Sequence, residues 1–413
     1  MGYFEMWWLV KVALVLGILL VGQSAWAFLD GLRFLRQVRG RRLTPLGNLA
    51  LPAAVVVPCK GVDTGFDSNF DRLLNQDYPD YWIVFTVATE YDAAYSHLRA
   101  LLERRGASGS TVPPRTTLVV AGLSDKRGEK VNNLLRGVEA VDRSVQVLVF
   151  ADIDMAPSPR WLRSLVGPLA DPKVTVSTGF RWYLPGEGFV SWLRAAWDTS
   201  IATMMREVDP PFAWGGSMAI RSADFRRLGI AERYWAHTVS DDYSLTRAVR
   251  EARGRIAFEP CCLVASREES SLREFLQWST RQIVITRVYA AHLWAWGLAT
   301  YLFYCGTLAL GLVALALPGP GVSQRVLVAI TLSTVLLLGA GKGYVRSVVA
   351  REIFPTEISG HASCYWLLSP LVPWVMLWNS VRAAFTRRIR WRGTEYELAS
   401  QDKVRVVGRA RDC

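Results

Sequence analysis

Residues 146–154 read Gln146-Val-Leu-Val-Phe-Ala-Asp-Ile-Asp154, with Pro157 close behind. A short unbroken apolar run bounded by polar residues and a proline reads as a strand buried on both faces. Asp152 and Asp154 close it. Two carboxylates one residue apart at a strand's end can share a hard divalent cation. Oxygen ligands and retained waters suit Mg²⁺ or Mn²⁺, and such an ion usually carries substrate phosphates. Asp-x-Asp alone is a weak signal, and its weight comes from the segment around it.

That segment alternates short apolar runs with mixed-polarity stretches from residue 43 to 265. Residues 53–57, 81–87, 117–120 and 147–150 read as buried strands, and residues 70–75, 92–105 and 130–141 as helices between them. The rhythm predicts a mostly parallel sheet covered by helices on both faces. Ligands of such sheets bind at the carboxyl ends of the strands. Lys60, Glu90, Asp92 and Asp152 all follow strand ends and are expected to converge there.

The chain has 413 residues and a net charge of +12. The charge is clustered: Arg33, Arg36, Arg39, Arg41 and Arg42 follow the first apolar stretch, and Arg387, Arg388, Arg390 and Arg392 follow the last. Such clusters mark cytoplasmic flanks beside anionic lipid. With no basic run in the soluble part, nucleic acid is not an expected partner. The six cysteines, ending at Cys413, show no metal-ligand spacing, which suits a reducing, cytosol-facing catalytic domain.

Residues 7–28 are apolar but for Lys11 and the pair Gln23-Ser24. Ala25-Trp-Ala27 resembles a signal-peptide cleavage site. The arginines after the run, with no basic side chain before it, favour an uncleaved anchor with its N-terminus outside. Residues 266–290 lead into an amphipathic helix, in which Arg273, Gln277 and Arg281 recur every fourth residue. Trp278, Trp294 and Trp296 favour a place in the membrane interface over an ordinary surface helix.

The expected layout is an anchor with its basic flank (1–42), the α/β domain (43–265), the interfacial helix (266–290), a C-terminal membrane region (291–385) and a basic cytosolic tail (386–413). Within the membrane region, 292–317 reads as a span, 326–340 as a short one ending at Gly339-Ala-Gly341, and 364–385 as one interrupted by Pro370 and Pro373. Three full spans there would place the arginine-rich tail outside, against the charge rule. The proline-broken segment is therefore expected to be re-entrant or interfacial.

Several loops can carry chemistry. In Pro58-Cys-Lys60-Gly61-Val-Asp63, a lysine beside a glycine turn can meet a phosphate or a base carbonyl, or simply be solvated. In Val87-Ala-Thr-Glu90-Tyr-Asp92, a carboxylate can accept from a base N–H or ribose hydroxyls, and Asp92 can equally cap the next helix. Lys126 and Lys130 lie at a helix N-terminus, a placement that favours an anion such as phosphate; a plain basic loop is the competing reading. Trp214-Gly215-Gly216-Ser217 allows close backbone approach to a ligand, or is a turn. Ser240-Asp241-Asp242-Tyr243 opens a helix, where one residue can cap and another can act as a general base.

Taken in order, these motifs resemble the family 2 glycosyltransferases, and among them the ceramide glucosyltransferase group. The resemblance runs from the N-terminal anchor to Trp391-Arg-Gly-Thr-Glu-Tyr396. Lys60-Gly-Val-Asp63 with Asp77-Tyr-Pro79 is similar to the group's first-strand signature, and Lys130-Val-Asn-Asn-Leu134 to its Lys-Ile-Asn-Asn-Leu segment. Asp92, Asp152 and Asp242 match its three carboxylates. The group's Gln/Arg-x-x-Arg-Trp motif is incomplete in Trp278-Ser-Thr-Arg281-Gln282: Arg281 is kept and the flanking residues are not, a departure that bears on the acceptor side. Residues 181–205 also lack a histidine that some members carry.

The resemblance implies a GT-A type, Rossmann-like cytosolic domain tethered by an N-terminal transmembrane anchor and a C-terminal transmembrane helical region. It implies an inverting transfer of a hexose, foremost glucose, from a UDP-sugar to a lipid hydroxyl such as that of ceramide, in the bilayer and on its cytoplasmic side. Asp152 and Asp154 would hold Mg²⁺ or Mn²⁺. Lys60, Glu90, Asp92, Lys130, Asp152, Gly215, Gly216, Asp241 and Gln282 would bind the nucleotide sugar. Asp242 would be the base and Arg281 would meet the diphosphate. Diacylglycerol or a hopanoid are alternative acceptors, and a processive polysaccharide synthase an alternative activity. A non-catalytic scaffold fits poorly with four retained aspartates. A phosphatase using Asp-x-Asp fits poorly with Met155 after the pair.

Overall fold

The computed structural model describes residues 3–43, 49–107, 114–317, 321–358 and 360–409; Cys413 lies outside them. The first helix, α1 (Tyr3–Leu43), is continuous. At 1.5 Å per residue it is about 60 Å long, twice the apolar thickness of a bilayer. Its first half exposes Val12, Val15, Ile18 and Leu19, while Phe34, Leu35 and Val38 pack against Trp182 and Phe258. Arg41 Nε donates to Glu259 Oε2 at 2.6 Å, and Arg39 Nε to Glu352 Oε1 at 2.9 Å. These two arginines, expected beside anionic lipid, instead fasten the anchor to carboxylates of the protein.

The α/β domain begins as β1 (Ala53–Pro58), α2 (Phe66–Leu74), β2 (Tyr81–Val87), α3 (Ala93–Ala107), β3 (Arg115–Val120), α4 (Glu129–Glu139) and β4 (Val147–Ala151). It continues as α5 (Trp161–Val166), β5 (Val174–Tyr183), α6 (Phe189–Ala202), β6 (Ser217–Arg221), α7 (Ser222–Arg227), α8 (Asp241–Glu251) and β7 (Arg255–Ser266). The helix expected over 70–75 starts earlier, at Phe66, because Gly65 takes a left-handed φ of 85° and turns the chain into it.

Among the described residues the sheet has seven strands in the order β3-β2-β1-β4-β6-β5-β7. β1 pairs in parallel with β2 on one side and β4 on the other. The chain winds outward to β3, then returns across β1 to β4. That reversal opens a crevice at the carboxyl ends of β1 and β4, where Lys60 and Asp152 emerge. β6 runs antiparallel to both β4 and β5. Apolar side chains alternate above and below the sheet into two cores, one around Val55, Phe85 and Trp161, the other around Val56, Phe150 and Trp235. α4 closes onto the sheet at Gly137, where any Cβ would overlap Val56 Cγ1.

Beyond the sheet, α9 (Leu272–Tyr289) opens with a capping box between Ser271 and Glu274. α10 (Ala291–Ala316) and α11 (Val322–Ile353) follow. With residues 7–43 of α1, these make three helices among the described residues that are long and apolar enough to cross a membrane. The short span expected over 326–340 is thus part of a longer helix. Gly341 and Gly343 do not end it; they bring α11 against the Phe28 ring and the Tyr365 backbone. Residues 364–385 break into α12 (Cys364–Leu367) and α13 (Val372–Ala384) around the prolines, each too short to span.

Most of the segment expected as a basic tail is folded. Residues 388–409 form a second, antiparallel sheet of β8 (Arg388–Trp391), β9 (Thr394–Ser400) and β10 (Lys403–Arg409). Arg392 (φ 43°) and Gly393 (φ 80°) make the first turn in left-handed conformations. Ile389, Tyr396, Leu398 and Val404 bury one face against Val239, Val284 and Tyr289. The arginines on the other face hid this period-two alternation in the sequence.

Candidate active site

The crevice at the sheet's switch point opens into a cavity of about 2270 Å³. Lys60, Lys130, Asp152, Asp154, Gly215, Asp241 and Asp242 line it from loops or helix starts expected to carry chemistry, and Arg281 and Gln282 line it from the middle of α9. Glu90 is exposed at the end of β2 and lines no part of the cavity. Asp92 also lies off the wall. Its Oδ1 accepts from Gly61 N at 2.7 Å and from Ala94 N at 2.9 Å, so it caps α3 and pins the loop after β1.

The centre of the site is an alternating array of charges. The Lys130 ammonium lies 2.9 Å from Asp152 Oδ1 and 3.3 Å from Asp241 Oδ2. Burial alone would lower the lysine's pKa, but Asp152 and Asp241 outweigh it and hold the ammonium well above its usual range. Arg181, at the end of β5, places Nη2 at 3.1 Å from Asp152 Oδ2 and 2.6 Å from Asp154 Oδ1. Burial works against ionisation of Asp152, yet Lys130 and Arg181 prevail and its pKa falls. Asp154 goes the other way: burial and the Asp152 charge raise its pKa despite Arg181. Asp241 is pushed up to about 7, by burial first, against Lys130 and reinforced by Asp242 and Asp152.

The glycines after Trp214 have a steric reason. A Cβ on Gly215 would overlap the Asp241 carboxylate, and one on Gly216 would overlap the Trp214 ring and come within 2.7 Å of Asp152 Oδ2. Gly216 O also accepts from Asp152 N at 3.2 Å. The turn is therefore a cradle that seats two of the site's carboxylates.

Ser240 caps α8, accepting from Tyr243 N at 3.2 Å. Asp242, in the first turn, accepts at Oδ1 from Tyr243 N at 2.7 Å and from the Ser240 hydroxyl. Its Oδ2 has no protein partner among the described residues. Burial raises the Asp242 pKa, opposed by the Ser240 bond, and a more basic carboxylate is a better proton acceptor. Asp152 and Asp154 suit a divalent ion: they are hard donors on one strand end, bridged by one guanidinium. Among the described residues no third acidic, histidine or cysteine ligand joins them. Mg²⁺ and Mn²⁺ tolerate this, since waters and substrate phosphates complete their shell.

Sequence reasoning missed two arginines. Arg181 lies near the carboxyl end of β5 with no motif around it. Arg392 reaches the site from the β8–β9 turn, where Nη1 donates to Lys60 O at 2.7 Å and Nη2 pairs with Asp63. Asp152 and Asp154 both act electrostatically on it. Arg281 donates to Arg390 O at 3.2 Å and lies 5.5 Å from the centre of the Trp391 ring. Burial pushes the Arg281 pKa down to about 10. The one sequence signal for Arg392 was its place in Trp391-Arg-Gly-Thr-Glu-Tyr396.

Among solved structures, a mannosyltransferase from Pyrobaculum calidifontis in complex with GDP-Man and Mn²⁺ is similar at 16% identity, over 90% of this chain and 99% of that one, with a TM-score of 0.47. The glucosyl-3-phosphoglycerate synthase from Mycobacterium tuberculosis is similar at 16% identity over 61% and 83%, TM-score 0.35. GalNAc-T7 with UDP, GalNAc and Mn²⁺ is similar at 12% over 68% and 55%, TM-score 0.40. No curated protein matches significantly by sequence. The doubly wound, parallel-dominated sheet with its switch-point site is a GT-A type fold. Residues 20–404 match the model of glycosyl transferase family 21, and the chain, a glycosyltransferase, belongs to that family.

Proposed function

We propose that this enzyme transfers a hexose, foremost glucose, from a UDP-sugar to the hydroxyl of a ceramide-like membrane lipid, with inversion at the anomeric carbon. The supporting observation is the continuity of the cavity. One chamber is lined at one end by Asp152, Asp154 and Asp242, and at the other by Trp26 of α1, Tyr304 of α10 and Leu338 of α11. A donor entering at the strand ends and a lipid entering between the spans would meet in it. The arginines after the first and last apolar segments support a catalytic domain on the cytoplasmic side.

In this reading the loop after β1, held by Asp92, receives the uracil and ribose, and Lys60 and Lys130 approach the phosphates. Asp152 and Asp154 would hold Mg²⁺ or Mn²⁺, which when bound neutralises charge on the departing diphosphate. The acceptor oxygen attacks the anomeric carbon from the face opposite the diphosphate. The new C–O bond forms as the C–O bond to the β-phosphate breaks, and the hydroxyl proton passes to Asp242 Oδ2. UDP leaves with the electron pair, and Arg281 and Arg392 stabilise the charge that develops on it.

The test is transfer of label from UDP-glucose to lipid in the membrane-embedded protein, with Mg²⁺ or Mn²⁺ and with ceramide or diacylglycerol as acceptor. Label on ceramide, lost in Asp242→Asn with UDP binding retained, is the expected result. Label on diacylglycerol alone moves the acceptor. Absence of lipid label from every common UDP-sugar overturns the reading.

A further inference from the structure

Lys342 and Arg346 stand one turn apart on α11, where the span reaches the catalytic domain. Val345 between them and Val349 and Ala350 just beyond pack with Trp182 and Tyr365, so the pair lies at the domain's face of the membrane region. Both line the chamber's membrane branch, beside Asp30, Tyr301 and Met204.

Neither cation is neutralised. Arg346 is 5% exposed, its Nε has no hydrogen-bond partner, and its Nη2 makes one long bond of 3.4 Å to the Thr203 hydroxyl. No carboxylate lies within ion-pair distance of either side chain among the described residues. The nearest acid in electrostatic reach of Lys342 is Asp30. That carboxylate already faces Arg33 at 3.8 Å. Lys342 lies over Gly31 of α1, where a Cβ would come within 3.3 Å of its Cγ.

Two like charges in a low-dielectric chamber are costly without a counter-charge. A basic pocket between spans at the membrane surface matches the head of an acidic lipid, whose phosphate sits at that depth while its chains continue along the helices. Exposed Ile330 and Leu337 on α11 and Leu302 on α10 offer such chains an apolar path. The donor diphosphate has its own cations, Lys130, Arg181, Arg281 and Arg392, at the other end of the chamber.

We propose that Lys342 and Arg346 form a binding site for the phosphate of an acidic phospholipid, which lodges beside the acceptor chamber as a bound lipid and is not itself glycosylated. The site does not depend on which lipid is the acceptor.

The experiment is native mass spectrometry of the full-length protein in detergent, titrated with phosphatidylglycerol or phosphatidylcholine of identical chains, with UDP binding measured in parallel. At roughly fivefold per cation near the membrane surface, wild type should prefer phosphatidylglycerol by about twenty-fivefold. Lys342→Gln should cut this to about fivefold, the double variant Lys342→Gln/Arg346→Gln should abolish it, and Lys342→Arg should keep it. UDP affinity should not change. If the double variant fails to fold, wild type, Lys342→Gln and Lys342→Arg still decide. No preference in wild type, or an undiminished one in Lys342→Gln, overturns the proposal. Displacement of the lipid by millimolar inorganic phosphate would also overturn it, in favour of a soluble-phosphate site. Because the readout is binding and not transfer, failure here leaves the acceptor assignment untouched.

Discussion

Arg392→Gln separates a working arginine from a structural strap. The Arg392 side chain is 38% exposed and its Asp63 partner 46% exposed, so the pair contributes only about 0–1 kcal/mol to stability. Glutamine inherits the left-handed φ of 43°, so the backbone strain is unchanged. The melting temperature should therefore fall by no more than a few degrees. Donor binding should respond differently. A guanidinium held by Lys60 O and Asp63, within electrostatic reach of Asp152 and Asp154, is placed to make a charge-assisted bond to a diphosphate, worth about 1.5–3 kcal/mol. Its loss should weaken UDP binding by about tenfold to a hundredfold. Calorimetric titration of UDP into the purified protein, with and without Mn²⁺, reads this directly. Arg392→Lys, which keeps the charge and loses the fork, should fall between. UDP affinity within twofold of wild type in Arg392→Gln would refute the reasoning and leave the turn a strap across the loop after β1.

Other perturbations test the remaining parts of the site. Asp152→Ala should weaken metal-dependent UDP binding and leave Lys130 to Asp241 and Arg181 to Asp154 alone; titrations that are identical with and without metal in wild type and variant would sink the metal assignment. Gly215→Ala should cost about 1–3 kcal/mol through overlap with the Asp241 carboxylate, read as a lower melting temperature together with lost transfer. Burial pushes the Asp198 pKa up to about 7, against the Arg181 charge. The folded state thus keeps a proton that the unfolded chain releases near the ordinary carboxylate pKa, and the stability from this group is full below that value and lost as pH rises through about 7. Asp198→Asn should flatten the melting temperature between pH 5 and 8, and an unchanged slope would show that another group sets it.

The residues legible in the sequence are those whose role is fixed by their own strand or helix end. Asp152 and Asp154 follow β4 because an apolar run must stop somewhere, and the crevice lies at the carboxyl ends of the paired strands β1 and β4. Ser240 caps the start of α8, where free N–H groups need an acceptor, and this leaves Asp242 Oδ2 available for the proposed base role. The same local motifs resembled the family 2 glycosyltransferases and, among them, the ceramide glucosyltransferase group; the chain belongs to glycosyl transferase family 21. Glu90 shows the limit of that reasoning, since a carboxylate after a strand is not thereby on the cavity wall.

What escaped is what long-range packing supplies, and the incomplete Gln/Arg-x-x-Arg-Trp motif is the plainest case. Arg281 is followed by Gln282, so along the helix the arginine has lost its aromatic neighbour. In space it has one, because the β8–β9 hairpin brings Trp391 to 5.5 Å from the guanidinium. The hairpin is held there by contacts no local pattern could announce: Glu129 N donates to the Tyr396 hydroxyl at 3.2 Å, and Arg409 pairs with Asp125 at 2.8 Å. An indole over a guanidinium restricts the arginine's rotamers and shields one face from water, whichever strand provides it. The requirement belongs to the arginine's surroundings rather than to the next position in the chain. A motif read only along the sequence therefore finds a gap where the fold has closed it.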